Sequence, residues 1–437
     1  MDYVIFFSKY LFVFVITSFL LTNLFLIKWG KKVPFFNYEI IFVMHSLAFI
    51  IISRDIGILK SLGLGFLSLI FFVLVSRFLK RTMPDIGIVI FNCVVFLLDT
   101  GLIMLSRIDF YLAAKQFLWI ILSMGLLILL PIFFDFTLKF KWLSIFYMIG
   151  GIFLLGMNFV YGGQINGAMN WLNLFGMKFQ PSEIVKFIYI FYLAYALEKR
   201  SFILPTFFSG IIILFLVLQK DLGGALIFFI LYASQIYFVS GRKQIFIAAF
   251  FLILIGFIIG YFIFPHVKVR IISWINPWDN IRDEGYQIAQ SLFAIGSGNL
   301  FGSGLTMGFV KYIPVSQSDF IFSAICEEFG NIFACGIIFI FILIAFSITK
   351  IIILCKDLFC SIILNGTMSL ICFQTFLILG GCVKLIPLTG IVLPFVSYGG
   401  TSLVVNTLLL ACSVFILMKR YKQIYSAELF DGEDNEK

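Results

Sequence analysis

Residues 315–349 read VSQSDFIFSAICEEFGNIFACGIIFIFILIAFSIT, a long apolar run that begins beside Asp319 and contains two further acids, Glu327 and Glu328. Apolar blocks of similar length recur along the chain, and a helix needs roughly 20 such residues to cross a bilayer core. The alternating segments of about ten residues that a membrane β-barrel requires do not occur. The pattern therefore predicts an all-α, polytopic helical membrane protein.

Composition agrees with this class. The 437 residues are 62% hydrophobic and 12% charged, with a mean hydropathy of +1.11. Soluble domains carry roughly 25% charged residues. The net charge of +9 comes from Lys and Arg in short clusters between apolar runs, as in the cytoplasmic loops of membrane proteins. We therefore expect membrane lipids as partners and no nucleic acid.

The eight cysteines do not predict a metal site. They lie in or beside apolar runs, none forms a CxxC pair, and His45 and His266 are far apart in the chain. A structural zinc site needs clustered Cys or His ligands. We interpret the cysteines as small buried core residues.

The apolar runs predict about thirteen transmembrane spans. Their centres lie near residues 15, 46, 68, 96, 123, 151, 190, 210, 231, 254, 335, 372 and 409. The N-terminus lacks the basic region of a signal peptide, so we expect an uncleaved first helix with its N-terminus outside. Alternate connections then carry the basic clusters, which are Lys28/Lys31/Lys32, Arg77/Lys80/Arg81, Lys139/Lys141, Lys199/Arg200, Arg242/Lys243, Lys350/Lys356 and Lys419/Arg420/Lys422. This alternation predicts a cytoplasmic C-terminus.

The opposite connections are longer and rich in Gly, Trp, Gln and Asn. They span residues 161–180, 265–318 and 384–402. Long loops are usually functional or disordered, and the aromatic, amphipathic stretches here argue against disorder. We expect the functional face to be extracytoplasmic.

Asp319 lies at the start of a predicted helix and has two interpretations. It could stabilise the helix terminus through the free amides and the macrodipole. Alternatively, it is a carboxylate at the outer aqueous boundary that accepts a proton or holds a metal ion. The residues alone leave both open.

Glu327 and Glu328 lie inside the apolar run, where burial of an ionised group is costly and usually functional. A helix would put Glu327 about 12 Å below Asp319 and about 80° around the axis. The structural alternative is an ion pair with Lys186 or Arg270. Either interpretation predicts that both acids face a polar interior.

Two other stretches combine helix signals with polar groups. In FQPSEIVKF, Pro181 predicts a helix start, Glu183 and Lys186 are spaced to pair, and Lys186 could reach a phosphate. In LPFVSYGGTS, Pro394 follows Pro387 closely, which predicts a re-entrant segment. A close helix–helix contact at the glycine pair is the alternative.

Five ordered motifs between about residues 86 and 420 resemble those of the SEDS family (shape, elongation, division and sporulation), which includes FtsW, RodA and SpoVE. The motifs are GAMNW followed by FQPSEIVK, then QKDLG, GYQIAQSLFAIGSG, IPVSQSDFIFSAICEEFG and PLTGIVLPFVSYGGTS. The resemblance implies a ten-helix core at 83–422 with its large extracytoplasmic loop at 265–318. Residues 1–82 would form about three extra N-terminal transmembrane helices, and 423–437 a cytoplasmic tail.

The resemblance also implies an activity. SEDS proteins polymerise lipid II into glycan strands during cell elongation or division, in the bacterial inner membrane. A class B penicillin-binding protein would be the partner, and a divalent cation, Mg²⁺ or Mn²⁺, the cofactor. The residues leave elongation and division unresolved: the short IPVSQSDFIF approach and the extra N-terminal helices slightly favour a RodA-like role, whereas GYQIAQSLFAIGSG suits FtsW equally.

Residue by residue, the resemblance matches Asp319 to the essential acid of the family's large loop, which implies a role as base or metal ligand. It matches Trp171 to the tryptophan of the earlier loop and Lys186 to the lysine after Gln-Pro-Ser-Glu. Glycosyl transfer from a lipid diphosphate needs a base for the attacking hydroxyl and positive charge beside the leaving diphosphate. We expect substrate binding by Trp171, Lys186, Arg270, Gln180, Glu183, Gln287 and Ser397. We expect structural or cation-linked roles for Glu327, Glu328 and Asp221.

The sequence departs from the family pattern at three places, and two other functions compete with glycan polymerisation. Gln317-Ser318 replaces the usual ring-Thr pair, Asn170 a basic residue, and Lys220 the proline of Gln-Pro-Asp. The alternatives are a lipid II flippase, favoured by the buried acids, and a scaffold that only activates the transpeptidase. Polar residues concentrated at the outer face favour the polymerase, whereas a scaffold would leave Asp319 dispensable.

Overall fold

The computed structural model describes residues 2–30, 37–127, 129–165, 168–174 and 177–434, and it is predominantly helical. The helices are α1 Asp2–Trp29, α2 Asn37–Ile56, α3 Ile58–Thr82, α4 Asp85–Ile108, α5 Phe110–Leu126, α6 Leu130–Lys139, α7 Ser144–Tyr161, α8 Pro181–Glu198, α9 Ile203–Leu218, α10 Leu222–Ser240, α11 Gln244–Ile263, α12 Pro265–Ile275, α13 Tyr286–Ser297, α14 Ile321–Phe329, α15 Asn331–Leu354, α16 Leu358–Cys382 and α17 Gly400–Asp434. The polytopic helical class is confirmed.

Within the described ranges, nine helices are long and apolar enough to cross a membrane, and the bent pair α5–α6 would make a tenth. The helices α2, α8 and α9 lie at the predicted centres near residues 46, 190 and 210. Of these, α2 and α8 carry several charged residues and α9 has 16 residues. The count of thirteen spans stays a prediction.

The helix termini that carry the predicted basic clusters meet at one end of the bundle, which we call the basic end. Lys141 Nζ pairs with Glu198 at 2.6 Å, which joins the start of α7 to the end of α8. Lys419 of α17 pairs with Asp135 of α6. Of the cluster residues, Lys31, Lys32 and the side chain of Lys422 lie outside the described residues.

The opposite termini meet at what we call the loop end. Gln180, just before α8, donates to Asp221, just before α10. The amide of Tyr398 donates to the carbonyl of Gln317 at 2.9 Å, which joins the segment before α17 to the segment before α14. The long connections predicted from the sequence are therefore brought together in space.

Helix α4 lies at the centre of the bundle and is the most completely buried helix among the described spans. It packs against the N-terminal helices α1, α2 and α3, and also against α5, α15 and α17. We call α1–α3 the N-terminal module. Its contacts with α4 and α15 make it part of the same helical body as the predicted core.

A small antiparallel sheet occupies the connection between α7 and α8, which the all-α prediction did not include. Its order is β1 Gly163–Ile165, β2 Ala168–Leu174 and β3 Met177–Phe179. Trp171 pairs with Gly163, and Leu172 pairs with Phe179. Short strands at this position escape an analysis based on long apolar runs, because each contains only a few residues.

The span predicted near residue 335 is divided in the structure. Gly330 has φ +90° and separates the short helix α14 from the long helix α15. Glu327 and Glu328 therefore lie on α14 and not inside the membrane-length helix, so their placement within a span was wrong. A non-glycine residue rarely adopts this backbone conformation, which is why the break occurs here.

The segment between α16 and α17 is irregular, as the two prolines predict. Residues 384–399 form turns and extended backbone without helix or strand. The close helix–helix contact predicted as the alternative is also present where this segment ends. A side chain at Gly400, the first residue of α17, would meet the ring of Trp119 on α5. Helix α17 runs on to Asp434, so most of the predicted tail is helical, and residues 435–437 lie outside the described residues.

Candidate functional site at the loop end

Four loop-end segments bring Gln180, Asp221, Arg270 and Asp319 into one polar group, which we call the Asp319 cluster. Gln180 Nε2 donates to Asp221 Oδ2 at 3.2 Å. Asp221 also caps α10 by accepting from the amide of Gly224 at 2.9 Å. The preceding residue, Lys220, has φ +62°, a conformation closed to the proline usual at this family position.

Arg270 on α12 lies between two acids. Burial lowers the pKa of its guanidinium, and the charges of Asp319 and Asp221 raise it. A Cβ built on Gly390 would lie 3.5 Å from Arg270 Nη2 and 3.9 Å from Asp319 Oδ2, so both charged groups face this glycine. Gly390 has φ +75°. The irregular segment thus approaches the charged pair with bare backbone.

Asp319 is half-buried, and it does not cap a helix. The cap position of α14 is Phe320, without a side-chain hydrogen bond, and no acid lies in the first turn of α14. The helix-stabilising interpretation of Asp319 is therefore wrong. Burial raises the pKa of its carboxyl above the ordinary value. Two smaller effects lower the pKa: the hydroxyl of Ser318, which donates a hydrogen bond at 2.9 Å, and the positive charge of Arg270. A half-buried carboxylate with a raised pKa is better suited to accepting a proton than a solvated one.

The irregular segment fixes the backbone on which Asp319 lies. Ser397 Oγ donates to the carbonyl of Ser318 at 2.6 Å and accepts from the amide of Leu393 at 3.0 Å. Cys382 Sγ donates to the carbonyl of Asp319 at 3.2 Å. The hydroxyl of Ser397 is thus engaged within the protein, which makes it a positioning residue here.

Glu183 and Lys186 form the buried ion pair that their spacing predicts. Lys186 Nζ lies 2.7 Å from Glu183 Oε1, and both side chains are almost fully buried on α8. Glu183 Oε2 has no hydrogen-bond partner in the described part of the chain. Because the charge of Lys186 is matched locally, Arg270 has the better position to act on a charged substrate near Asp319.

Glu328 forms an ion pair, as the structural alternative required, but the partners named for it, Lys186 and Arg270, were wrong. Glu328 Oε1 accepts from Arg107 Nε at 3.1 Å, and Glu327 Oε1 accepts from the amide of Phe309 at 2.9 Å. Burial raises the pKa of Glu327, and that of Glu328 to about 7. The prediction that both acids face a polar interior away from lipid is confirmed.

Arg107, which pairs with Glu328, is the charged residue of this region that the sequence analysis did not single out. It ends an apolar helix at the loop end, where the positive-inside pattern does not place basic residues. An arginine in that position indicates an acidic partner, which could have been sought among the buried acids.

Two predicted residues lie apart from the cluster in the described structure. Trp171 is half-buried on β2, and Gln287 is exposed on α13. Neither is hydrogen-bonded to a member of the Asp319 cluster. The side chain of Asn170, the expected basic position, lies outside the described residues.

The described residues could bind a divalent cation only together with the phosphates of a substrate. No group of three His, Cys, Asp or Glu side chains that could hold a metal ion occurs among the described residues. Mg²⁺ is commonly bound by one or two carboxylates together with substrate phosphates and water. Asp319 can supply one such carboxylate.

The sequence model of the FtsW/RodA/SpoVE family, described as cell cycle protein, matches residues 84–422. A peptidoglycan glycosyltransferase RodA from Mycobacterium bovis is 28% identical over 395 residues, covering 82% of this chain and 84% of that protein. A Geobacter protein named as a probable peptidoglycan glycosyltransferase FtsW is 35% identical over 292 residues, covering 64% of this chain and 78% of that protein.

Two solved structures share the architecture. A chain from a peptidoglycan synthase complex that coordinates polymerization and crosslinking has a TM-score of 0.64 at 24% identity, covering 76% of this chain and 97% of its own. The crystal structure of Thermus thermophilus RodA has a TM-score of 0.55 at 25% identity, covering 76% and 96%. With the family match extending over most of its length, this chain belongs to the SEDS family of FtsW, RodA and SpoVE.

Proposed function

We propose that this protein is a peptidoglycan glycosyltransferase that polymerises lipid II into glycan strands. The observation that carries the proposal is the half-buried Asp319 facing Arg270 at the loop end, within the region that matches the family. The curated names of the relatives support the same reaction.

Asp319 acts as the general base in the proposed reaction. It accepts the proton of a sugar hydroxyl on one substrate as that oxygen bonds to the anomeric carbon of the other. The bond from this carbon to the phosphate oxygen breaks, and the lipid diphosphate leaves with the electron pair. The raised pKa of Asp319 suits proton transfer, since a base works best when its pKa approaches the working pH.

Arg270 supplies positive charge beside the leaving diphosphate. Its guanidinium lies with Asp319 beside the bare backbone of Gly390, and the charges of Asp319 and Asp221 are near enough to raise its pKa. Preorganised positive charge aimed at a developing negative charge lowers the barrier without rearrangement. Gln180 acts through Asp221, which it hydrogen-bonds.

In the alternative role, Asp319 would hold a divalent cation, Mg²⁺ or Mn²⁺, together with the substrate's diphosphate, and would not serve as the base. The cation would neutralise part of the diphosphate charge. Arg270 would supply positive charge in either case.

The protein is a multi-pass membrane protein, and we place it in the bacterial inner membrane with the loop end outside. The basic end would then face the cytoplasm, as the positive-inside rule requires. We propose a class B penicillin-binding protein as partner, which is consistent with the synthase complex among the structural relatives.

The buried acids do not support the flippase alternative. Glu327 and Glu328 are bonded to the amide of Phe309 and the side chain of Arg107 at the loop end. A flippase needs polar groups along a path through the membrane, whereas these acids hold a loop.

The decisive experiment compares the wild type with Asp319→Asn in polymerisation of purified lipid II, each in complex with the cognate transpeptidase. Asp283→Asn is the matched control, because Asp283 is an exposed acid in the same large loop. We expect glycan product from wild type and control and at least a hundredfold loss in Asp319→Asn, typical of removing a general base. Full activity of Asp319→Asn in an intact complex would refute the assignment.

A further inference from the structure

One face of α4 carries a line of three polar residues, Asn92, Asp99 and Arg107, spaced seven and then eight residues apart. At 3.6 residues per turn these positions lie within about 80° of one another, so they form a stripe along the helix. Polar side chains within a membrane-length helix need polar partners, because lipid offers none.

The N-terminal module supplies a partner for each of the three. Asn92 Nδ2 donates to Asn23 Oδ1 at 3.1 Å, His45 Nδ1 lies 2.5 Å from Asp99 Oδ1, and Asp55 Oδ2 lies 3.1 Å from Arg107 Nη1. The partner residues thus follow the stripe from the basic end to the loop end. The module is docked along the whole length of the helix with which the family match begins.

The middle contact shows that the module is not an accessory packed against a finished surface. Asp99 is fully buried, and His45 also contacts the carbonyl of Gly65 at 2.8 Å through Nε2. Removal of the module would leave Asp99 facing lipid, which is costly. The sequence of α4 is therefore suited to the presence of α1–α3.

The contact at the loop end continues toward the candidate active site. Arg107 uses Nη1 for Asp55, Nε for Glu328, and Nη2 for the carbonyls of Thr306 and Gly308 at 3.3 Å each. A single guanidinium thus joins the module, the large loop and α14. Because α14 begins two residues after Asp319, Glu328 is connected through one short helix to the segment that carries the proposed base.

The main chain strengthens this connection. The amide of Ser303 donates to the carbonyl of Glu327 at 2.8 Å, and that of Gly304 donates to the carbonyl of Glu328 at 3.1 Å. Phe309 donates its amide to the side chain of Glu327. The loop 303–309 and the end of α14 are therefore bonded into one unit, and Arg107 on α4 links both of them to Asp55 of α2.

A polar cavity of about 520 Å³ opens beside this contact, lined in part by Asp55, Arg107, Lys311 and Tyr312. Asp55 is 31% exposed, whereas Glu328 is fully buried. The carboxylate of Asp55, from the N-terminal module, is therefore open to water, whereas the carboxylate of Glu328, on the helix that follows Asp319, is shielded from it.

We propose that Arg107 is a positioning residue for glycosyl transfer, and that the N-terminal module acts on the site through Asp55. The inference rests on the proposed function, because it takes Asp319 as the base. Lysine cannot replace Arg107, since one ammonium cannot reach three groups that the planar guanidinium serves from three nitrogens.

The test measures kcat and KM for lipid II and the melting temperature of the full-length protein in complex with its transpeptidase. The variants are Asp55→Asn, Glu328→Gln, their double variant, Arg107→Lys and Asp319→Asn. Glu39→Gln is the matched control, because Glu39 is an exposed acid at the other end of α2.

We expect Asp55→Asn to lower kcat about fivefold, with KM within about twofold and the melting temperature nearly unchanged. The double variant should be no worse than Glu328→Gln alone, since residues that act through one shared partner are not additive. Arg107→Lys should lose kcat at least as strongly as Asp55→Asn, and Glu39→Gln should match the wild type.

Three outcomes would overturn the inference: wild-type kcat in Asp55→Asn, additive losses in the double variant, or losses of kcat that follow the melting temperature. The last would indicate a merely structural contact. An inactive Asp319→Asn beside a fully active Asp55→Asn would refute only the positioning role. An active Asp319→Asn would refute the proposed catalytic function itself.

Discussion

Arg270 and Asp319 face the same glycine, Gly390, although each comes from a different segment of the large loop and the glycine from a third connection. A positive charge and a carboxylate therefore lie beside the same stretch of bare backbone, where a side chain at position 390 would contact both. Substitution of Arg270 or Gly390 should therefore change the activity, and loss of Arg270 should also change its pH dependence.

Loss of Arg270 should shift the acidic limb of the pH–rate profile to higher pH. Asp319 must be ionised to accept a proton, so activity falls as the pH drops through its pKa, which burial raises and Arg270 lowers. Arg270→Gln removes the lowering effect. The pH dependence of kcat measures the shift, and Arg282→Gln, an exposed arginine of the same loop, is the control. An active Arg270→Gln variant with an unmoved limb would contradict the pairing.

Gly390→Ala should impair the site through both backbone and side chain. A residue with a Cβ at φ +75° is strained by about 1–2 kcal/mol, and the methyl group would contact Arg270 and Asp319. We expect a fall in kcat together with a lower melting temperature. Gly296→Ala, where the methyl group meets open space, should leave both unchanged. Wild-type kcat in Gly390→Ala would show that the approach of this backbone is not needed.

Ser397→Ala should reduce activity because its hydroxyl, which we first expected to bind substrate, is engaged in hydrogen bonds within the protein. The change removes the donor to the Ser318 carbonyl and leaves the amide of Leu393 without its acceptor, a loss of about 1–3 kcal/mol. Polymerisation and melting temperature should both decrease, with Ser53→Ala, which removes a local helix bond on α2, as the control. Tighter or weaker lipid II binding without any change in stability would instead indicate direct substrate contact.

The Glu183–Lys186 pair should be more sensitive to single than to double substitution. Lys186→Met leaves the buried carboxylate of Glu183 uncompensated, which costs about 3–5 kcal/mol, whereas replacing both charges by apolar groups is often nearly neutral. Melting temperatures of Lys186→Met, Glu183→Met and the double variant test this order. If the double variant is stable but inactive, the pair serves the reaction as well as the fold.

Hydropathy located the helices well because a membrane span is a local feature. Most of the predicted centres agree with helix midpoints, since crossing a bilayer requires a continuous apolar run of fixed length. The run after Asp319 was one exception, as was the run near residue 123, which forms the bent pair α5–α6. The run after Asp319 consists of two helices separated at Gly330, and a glycine within an apolar run does not reveal from the sequence whether its φ is positive.

The helical membrane class, the alternation of basic clusters and the Glu183–Lys186 pair could be predicted from the chain alone, because each depends on composition or on residues close together in sequence. Asp319 became the candidate base only through the resemblance of its motif to the SEDS family. The contacts of Arg107 with Asp55 and Glu328, the approach of Arg270 to Asp319, and the bond from Ser397 to the backbone before Asp319 became visible only in the folded chain. The physical reason is that buried charges and hydrogen-bonding groups must find partners wherever packing brings them together, and sequence separation carries no information about that meeting.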